Sequence, residues 1–387
     1  MISVFNADKV LKSFYLSVVA NELNTAVNPL LARIEQTSSD VWGKEVRKAA
    51  PYGINGGIGA GKEDGELPEA SYTNYVHMVL TLKNLFGKIE ISDKAIRASQ
   101  NSSGAIVNLL ESEMAALIRS SKFNFGRMLF GDGTGILCKV QDVINNIVTV
   151  DDVTNLMEGM IVDVISKTTK TPVVSARNIS SIDRTTKKIV LAGSPLTSLG
   201  ITAGDFLTVQ GSYNNEITGL GAIFSDSMLY GLTRGNYKWL NPYKETSSQL
   251  TDITIQKAID TLEEVAASTA NYIVCSSGVK RAYQDYLITN RTNIDVMNLQ
   301  GGYKAISYNG IPLVSDRFCP AGTMYILNTD DFHLHQLCDW RWLEGDDGRI
   351  LKQVPNKPVF TATLVKYADL MCDRPIGQAV ISGITEA

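Results

Sequence analysis

Residues 305–335, AISYNGIPLVSDRFCPAGTMYILNTDDFHLH, and residues 360–384, FTATLVKYADLMCDRPIGQAVISGI, decide the fold. They read as short strands joined by tight turns. Asn309-Gly310 separates two runs rich in β-branched residues, and Asn-Gly readily supplies the two positive φ angles that a type I′ hairpin turn requires. Pro320-Ala321-Gly322 makes a second turn ahead of a strand from Met324 to Leu327, and Pro358 opens a long alternating strand from Val359 to Met371. Neither stretch carries a catalytic constellation, so the expectation is a building block rather than an enzyme.

The rest of the chain agrees with an ordinary folded protein. Its 387 residues suffice for two or three domains with a buried core, and 44% apolar with 20% charged residues gives no sign of disorder. A net charge of −4 leaves no electrostatic footprint for gripping nucleic acid. No run of about 18 apolar residues spans a membrane, and no secretion signal is visible at the start. Cys138, Cys275, Cys319, Cys338 and Cys372 are scattered and never form a Cys-x-x-Cys pair, which reads as reduced packing thiols.

Toward the N-terminus, DKVLKSFYLSVVANEL at 8–23 places Val10, Leu11, Phe14, Tyr15, Val18, Val19 and Leu23 at helical spacing. Its apolar stripe packs on its own domain or docks on another subunit. Pro29 and Pro51 bracket a stretch without clear periodicity, suited to an extended arm. PYGINGGIGAGKEDGELPEA at 51–70 carries six glycines. Gly56, Gly61 and Lys62 match a phosphate-loop spacing, but Glu63 stands where Ser or Thr is needed, and Gly65 and Pro68 follow where a helix should begin. An exposed flexible loop is the better reading, leading into a long strand from Tyr72 to Leu85 with both faces partly buried.

Next, KIEISDKAIRASQNSSGAIVNLLESEMAALIRSSKFNFGRMLFGDGTG at 88–135 gives a strand, a short helix capped at Ser92, and a long helix from about Ser103 to Phe130. Ile106, Leu110, Met114, Leu117, Ser121, Phe125 and Met128 form one apolar face, about 40 Å long at roughly 1.5 Å per residue. The glycines of 131–135 supply left-handed positions after it. Beyond it, 137–218 holds TVDDVTNLMEGMIVDVI, ARNISSIDRTTKKIVLAG and GITAGDFLTVQGS, whose turn signals recur every 8–12 residues or so, as in a small barrel or sandwich. Asp151, Asp152 and Asp163 lack EF-hand spacing and read as solvated turns. From Thr246 the pattern becomes α+β. Ile255, Ala258, Ile259, Leu262, Val265 and Ala266 give a helix, NYIVC a buried strand, and Ser276 or Ser277 caps a second helix.

The G-I-P-L-V-S-D segment at 310–316, the P-x-G-T strand at 320–323, the last strand ending in Arg374-Pro375, and the ordered set of strand, short helix, spine helix and G-D-G-T-G resemble the major capsid proteins of tailed bacteriophages, a family that includes the herpesvirus capsid floor. The resemblance implies an α+β fold with an N-terminal helix and arm (1–49), an extended loop hairpin (50–85), and a peripheral domain with its spine helix (86–136). It further implies a return segment (219–245), an axial domain (246–354) and closing strands (355–387). The chain departs from that pattern at 137–218, where some eighty residues precede the GLGAIFSD stretch at 219–226. This segment is expected to be an inserted all-β domain with a stabilising role on an outer surface, a role that normal shells from a deletion of Lys139 to Ile217 would count against.

As implied by the resemblance, the protein self-assembles into hexamers and pentamers of an icosahedral shell enclosing double-stranded DNA without sequence-specific binding. Its partners are itself and scaffolding, portal and decoration proteins, with no membrane. It sits in the virion capsid, and in the host cytoplasm during assembly. Lys62, Glu63, Asp64 and Glu66 in the extended loop are expected to pair across subunits, and Lys62 is the loop's one lysine for the covalent joining some members use. A large pro-segment in cis is not expected. An encapsulin-type shell is the first alternative, and a nucleotide- or glycan-binding protein the second. No cofactor is expected. His333, His335 and Cys338, with Asp339 beside them, offer two imidazoles on one strand face, which falls short of a zinc site and reads as polar residues on an exposed face. No nucleophile elbow and no paired His and Asp advertises catalysis.

Overall fold

The computed structural model describes residues 28–94, 105–197, 199–225, 228–290, 296–298, 304–345 and 348–387. The 8–23 pattern lies outside them, as do most of the short helix after Ser92 and most of the polar connection at 288–304. The chain divides into two compact units. One takes the described parts of Met1–Leu82, Ile223–Lys352 and Ala362–Ala387, the other those of Lys83–Ala222 and Gln353–Thr361.

The first unit begins with β1 (Glu35–Thr37), β2 (Glu45–Tyr52) and β3 (Asn74–Thr81). β2 and β3 form an antiparallel hairpin in unbroken register from Glu45↔Thr81 to Tyr52↔Asn74, with 53–73 as its exposed tip. Two expectations change here. The stretch read as an aperiodic arm holds β1 and β2, because the burial alternation of β2 is masked in sequence by Arg47, Lys48 and the small Ala49 and Ala50. The single strand expected at 72–85 is two, since the buried Leu82 turns its N–H to Lys44 O and separates β3 from the next strand.

The second unit contains β4 (Lys83–Ser92), the spine helix α1 (Ala105–Phe130) and β5 (Ile136–Ile144), β6 (Ile147–Val150), β7 (Ile161–Ile165), β8 (Pro172–Asp183), β9 (Lys188–Leu191) and β10 (Phe206–Val209). β5 to β10 close into a barrel in the order β10-β5-β6-β9-β8-β7, with β7 returning to β10. Val140, Val148, Val150, Val162, Val164, Ile179, Ile189 and Leu207 fill it, all but Leu207 β-branched side chains that suit the pleat. Asp163 is buried and accepts the Ala176 and Gly211 N–H groups at 2.8 Å each, bracing a bulge between β7 and β8. Asp151 accepts the Lys139 N–H and Asp152 that of Thr154.

Along α1, Met114 and Phe125 are buried, and Gly87 of β4 packs so closely that a Cβ there meets Leu117 at 3.0 Å. Gly131 ends the helix and Gly133 and Gly135 take φ of +81° and +76°. The first glycine of the GLGAIFSD stretch lies on the helix end. A Cβ on Gly219 sits 2.3 Å from Met128 O and 2.5 Å from Gly131 O, distances no methyl tolerates. Gly219→Ala is therefore expected to displace the last turn of α1 and destabilise the protein by about 3 kcal/mol, at the upper end of overpacking costs, as read by chemical denaturation.

The first unit resumes with β11 (Met228–Leu229), β12 (Leu232–Thr233), β13 (Tyr243–Thr246), α2 (Asp252–Ala266), β14 (Tyr272–Cys275) and α3 (Ser277–Thr289). The chain continues with β15 (Val296–Asn298), β16 (Lys304–Tyr308), β17 (Ile311–Ser315), β18 (Met324–Leu327), β19 (Phe332–Trp342), β20 (Lys352–Gln353), β21 (Val359–Cys372) and β22 (Ala379–Ser382), of which Gln353 and the first residues of β21 belong to the second unit. One mixed sheet runs β13-β22-β18-β14-β17-β16-β15. Thr251 and Ser276 cap α2 and α3 through the Thr254 and Val279 N–H groups, and Ile255, Ala258, Ile259 and Leu262 bury α2 in the core of this sheet. Val265, expected on that stripe, is exposed, in the last turn before the left-handed Ala267 turns the chain away. β16 and β17 pair Tyr308 with Ile311 across Asn309 (φ +49°) and Gly310 (φ +81°), the type I′ hairpin that Asn-Gly specifies. A second sheet pairs β1 parallel to β19, and β19 antiparallel to β21.

Candidate assembly surfaces

The hairpin of β2 and β3 carries a long, mostly exposed tip between Tyr52 and Asn74. Its tip exposes Ile54, Ile58, Leu67 and Tyr72, each more than three-quarters accessible, with Tyr75 just inside. Isolated exposed apolar residues are ordinary, and several along one polar, glycine-rich loop make it a candidate contact surface. Lys62, Glu63, Asp64 and Glu66 lie on the same tip, all exposed, and among the described residues none of the four is in an ion pair. Only the turn bond from Gly65 N–H to Lys62 O (3.1 Å) orders their backbone. No helix follows Lys62, so the phosphate-loop spacing has none of the geometry that phosphate binding needs.

The hairpin's root is firmly held. Lys48 Nζ lies 3.1 and 3.0 Å from the two carboxylate oxygens of Asp373. Val79 donates its N–H to Tyr230 O at 3.0 Å, so one edge of the hairpin is closed by the turn between β11 and β12. Tyr230 takes φ +49°, and its buried hydroxyl donates to Leu370 O (3.3 Å) and accepts from Cys372 N–H (2.7 Å). Burial pushes this phenol well above its usual range, so it stays a neutral donor. Tyr52 meets Tyr237 edge-on at 5.9 Å. Beneath the root lies a cavity of about 510 Å³ lined by Lys48, Ala50, Met78, Trp239, Asp373 and Ile376, among others.

The histidine pair occupies the sheet beside this root. His333 Nδ1 is 3.3 Å from Asp373 and its Nε2 is 3.5 Å from Glu35 of β1. His335 was expected on an exposed face with His333 but is fully buried, with Lys48, Asp373, His333 and Asp40 close enough to act on its charge. Neither of its ring nitrogens has a hydrogen-bond partner. Loss of hydration, then the nearby Lys48 charge, pushes its pKa down to about 4, so it is neutral at pH 7. Among the described residues no group of three or more His, Cys, Asp or Glu side chains is placed to hold a metal. Asp339, further along β19, instead accepts from the buried Lys366 Nζ at 2.7 Å, whose pKa is lowered by burial against the pull of that carboxylate.

Sequence reasoning singled out the charges of the tip and missed its apolar residues, although Ile54, Ile58 and Leu67 stand in plain view among glycines. It also missed Tyr230 and the Lys48–Asp373 pair, which join residues hundreds of positions apart. Among the described residues no helix is long and apolar enough to cross a membrane.

No family model and no curated protein matches the sequence. Solved structures do. Over 93% of this chain and 94% of the other, the fold superposes on the cyanophage A-1(L) capsid asymmetric unit with a TM-score of 0.57 at 13% identity. The holo-SrpI encapsulin complex from Synechococcus elongatus matches over 95% of both chains, with a TM-score of 0.50 at 10% identity. At these identities the likeness is one of fold. The chain shares the α+β fold of this phage capsid subunit and of the encapsulin.

Proposed function

We propose that this chain is a major capsid protein, a structural subunit and not an enzyme, that self-assembles into hexamers and pentamers of an icosahedral phage head. The observation that carries the reading is the projecting hairpin, whose tip leaves four large apolar side chains accessible on a fold otherwise seen in a capsid. Burying them on a neighbour contributes roughly 1.5–3 kcal/mol per side chain, and each subunit both gives and receives such contacts. Lys62, Glu63, Asp64 and Glu66 flank the apolar residues and pair with charges on that neighbour. The barrel of β5 to β10 is an inserted domain of this shell subunit. The head encloses double-stranded DNA without gripping it, consistent with a net charge of −4. Scaffolding, portal and decoration proteins are its further partners, and the virion its final location after assembly in the host cytoplasm.

Electron microscopy of the purified, overexpressed protein at physiological salt tests this. Closed shells, tubes or hexamers are expected, and a protein that stays monomeric even when concentrated would overturn the reading. The encapsulin likeness supports one other reading, a shell around a protein cargo. The contents of purified particles, nucleic acid or cargo protein, separate the two.

A further inference from the structure

The root of the hairpin holds a cluster of charges that the tip contacts do not use. Lys48 reaches it from β2, Glu35 from β1, Asp373 from the end of β21, and His333 and His335 from β19. Asp40, in the turn before β2, adds to its field, and Asp369 stands opposite His335 in the β19–β21 register with its carboxylate on the Leu370 N–H. Only one of these side chains ties the hairpin to the sheet, and that is Lys48. Next to it sits an imidazole with no accessible surface and no acceptor for either nitrogen, its ring centroid 6.2 Å from that of His333.

We propose that Lys48, Asp373, His333 and His335 form a proton-operated latch that holds the root of the β2–β3 hairpin on its sheet at neutral pH and frees it in acid. The reasoning is electrostatic. With His335 neutral, Lys48 pairs with Asp373 without a competing cation. A proton on His335 creates a buried imidazolium with nothing to donate to, beside an ammonium and a second histidine, and burial makes that repulsion large. Relief comes from lifting the root, which removes Lys48 and lets water reach His335. The cavity at the root, which Lys48 and Asp373 line, already admits water to that pair.

The sign follows from linkage. His335 binds its proton more weakly when the root is closed (about 4) than when it is solvated (6.5). The closed form therefore keeps its full advantage above pH 6.5 and loses it as the pH falls from 6.5 toward 4. Over that window the opening equilibrium rises by about tenfold per pH step, on the order of a hundredfold in all. The latch belongs to the single chain, and it bears on the assembly reading only through the hairpin it would free, so the two stand or fall on different experiments.

The sequence holds three histidines, His77, His333 and His335, so ¹³Cε1-histidine NMR of the whole chain resolves each one. We expect the resonance assigned to His335 to stay flat through neutral pH and to titrate near 4. Hydrogen exchange at 45–52 and 74–81, corrected for intrinsic rates, is expected to accelerate in the same window while exchange in the barrel stays constant. His335→Phe is expected to keep the root protected through acid, and Lys48→Met to raise the His335 midpoint. A His335 that titrates near its ordinary value, or root exchange in the wild-type chain that ignores the His335 midpoint, would overturn the latch. That second comparison needs no variant, so a His335→Phe chain that fails to fold leaves the test intact.

Discussion

Replacing Ile54 and Ile58 together with aspartate is expected to abolish particles while leaving the subunit's fold and melting temperature unchanged. Both side chains are exposed in the single chain and touch no core, so the substitutions remove nothing that the monomer uses. In a shell the balance reverses. Two isoleucines buried on a neighbour contribute roughly 3–6 kcal/mol per subunit, and two carboxylates desolvated in their place oppose contact further. A loss of even about 3 kcal/mol per contact lowers each association constant by more than a hundredfold at about 1.4 kcal/mol per decade, and a closed shell compounds it over every subunit. Electron microscopy and analytical ultracentrifugation read the outcome beside circular dichroism. Shells from the double variant at wild-type yield would show that the tip is not the contact surface. Lys62→Glu alone, in contrast, is expected to shift the salt dependence of assembly and little else, since an exposed ion pair is worth under about 1 kcal/mol.

The second large effect is expected inside the chain. Arg127 at the end of α1 and Glu216 after the barrel form a buried bidentate pair at 2.9 and 2.5 Å, with side chains only 6% and 2% accessible. Glu216→Ala leaves the guanidinium buried and uncompensated, and is expected to cost about 3–5 kcal/mol, seen as a fall in the denaturant midpoint. Arg127→Met with Glu216→Leu is expected to recover most of that loss, because apolar neighbours of similar volume avoid the desolvation of both charges. If Glu216→Ala melts like the wild-type chain, the pair is solvated in solution and the buried reading fails.

How much of this was legible beforehand depends on the range over which each signal acts. Asn309-Gly310 and the caps Thr251 and Ser276 act within four residues, and their turns and helix starts are where the sequence places them. The spine helix was legible because its apolar spacing persists for many turns, and the barrel because β-branched runs and turn residues recur. β2 was not, since two alanines and two basic residues blur its alternation, and its burial comes from β3 and from Asp373 far along the chain. His335 was misjudged for the same reason. Alternation puts it on one face with His333, but what closes the position to water comes from residues far away in sequence, Lys48 among them. At the tip the charges drew attention and the isoleucines did not, although the latter carry more contact energy.

The ties at the hairpin root also set a timetable. Val79 and Lys48 are made well before Leu370, Cys372 and Asp373, to which Tyr230 and Lys48 attach. At roughly 5–20 residues per second, the nascent hairpin waits tens of seconds for its anchor. β22 is made later still, yet it sits inside the seven-stranded sheet between β13 and β18, so that sheet stays open along one flank until β22 is made. In the proposed shell, a subunit still in synthesis would thus have no anchored hairpin to give a neighbour.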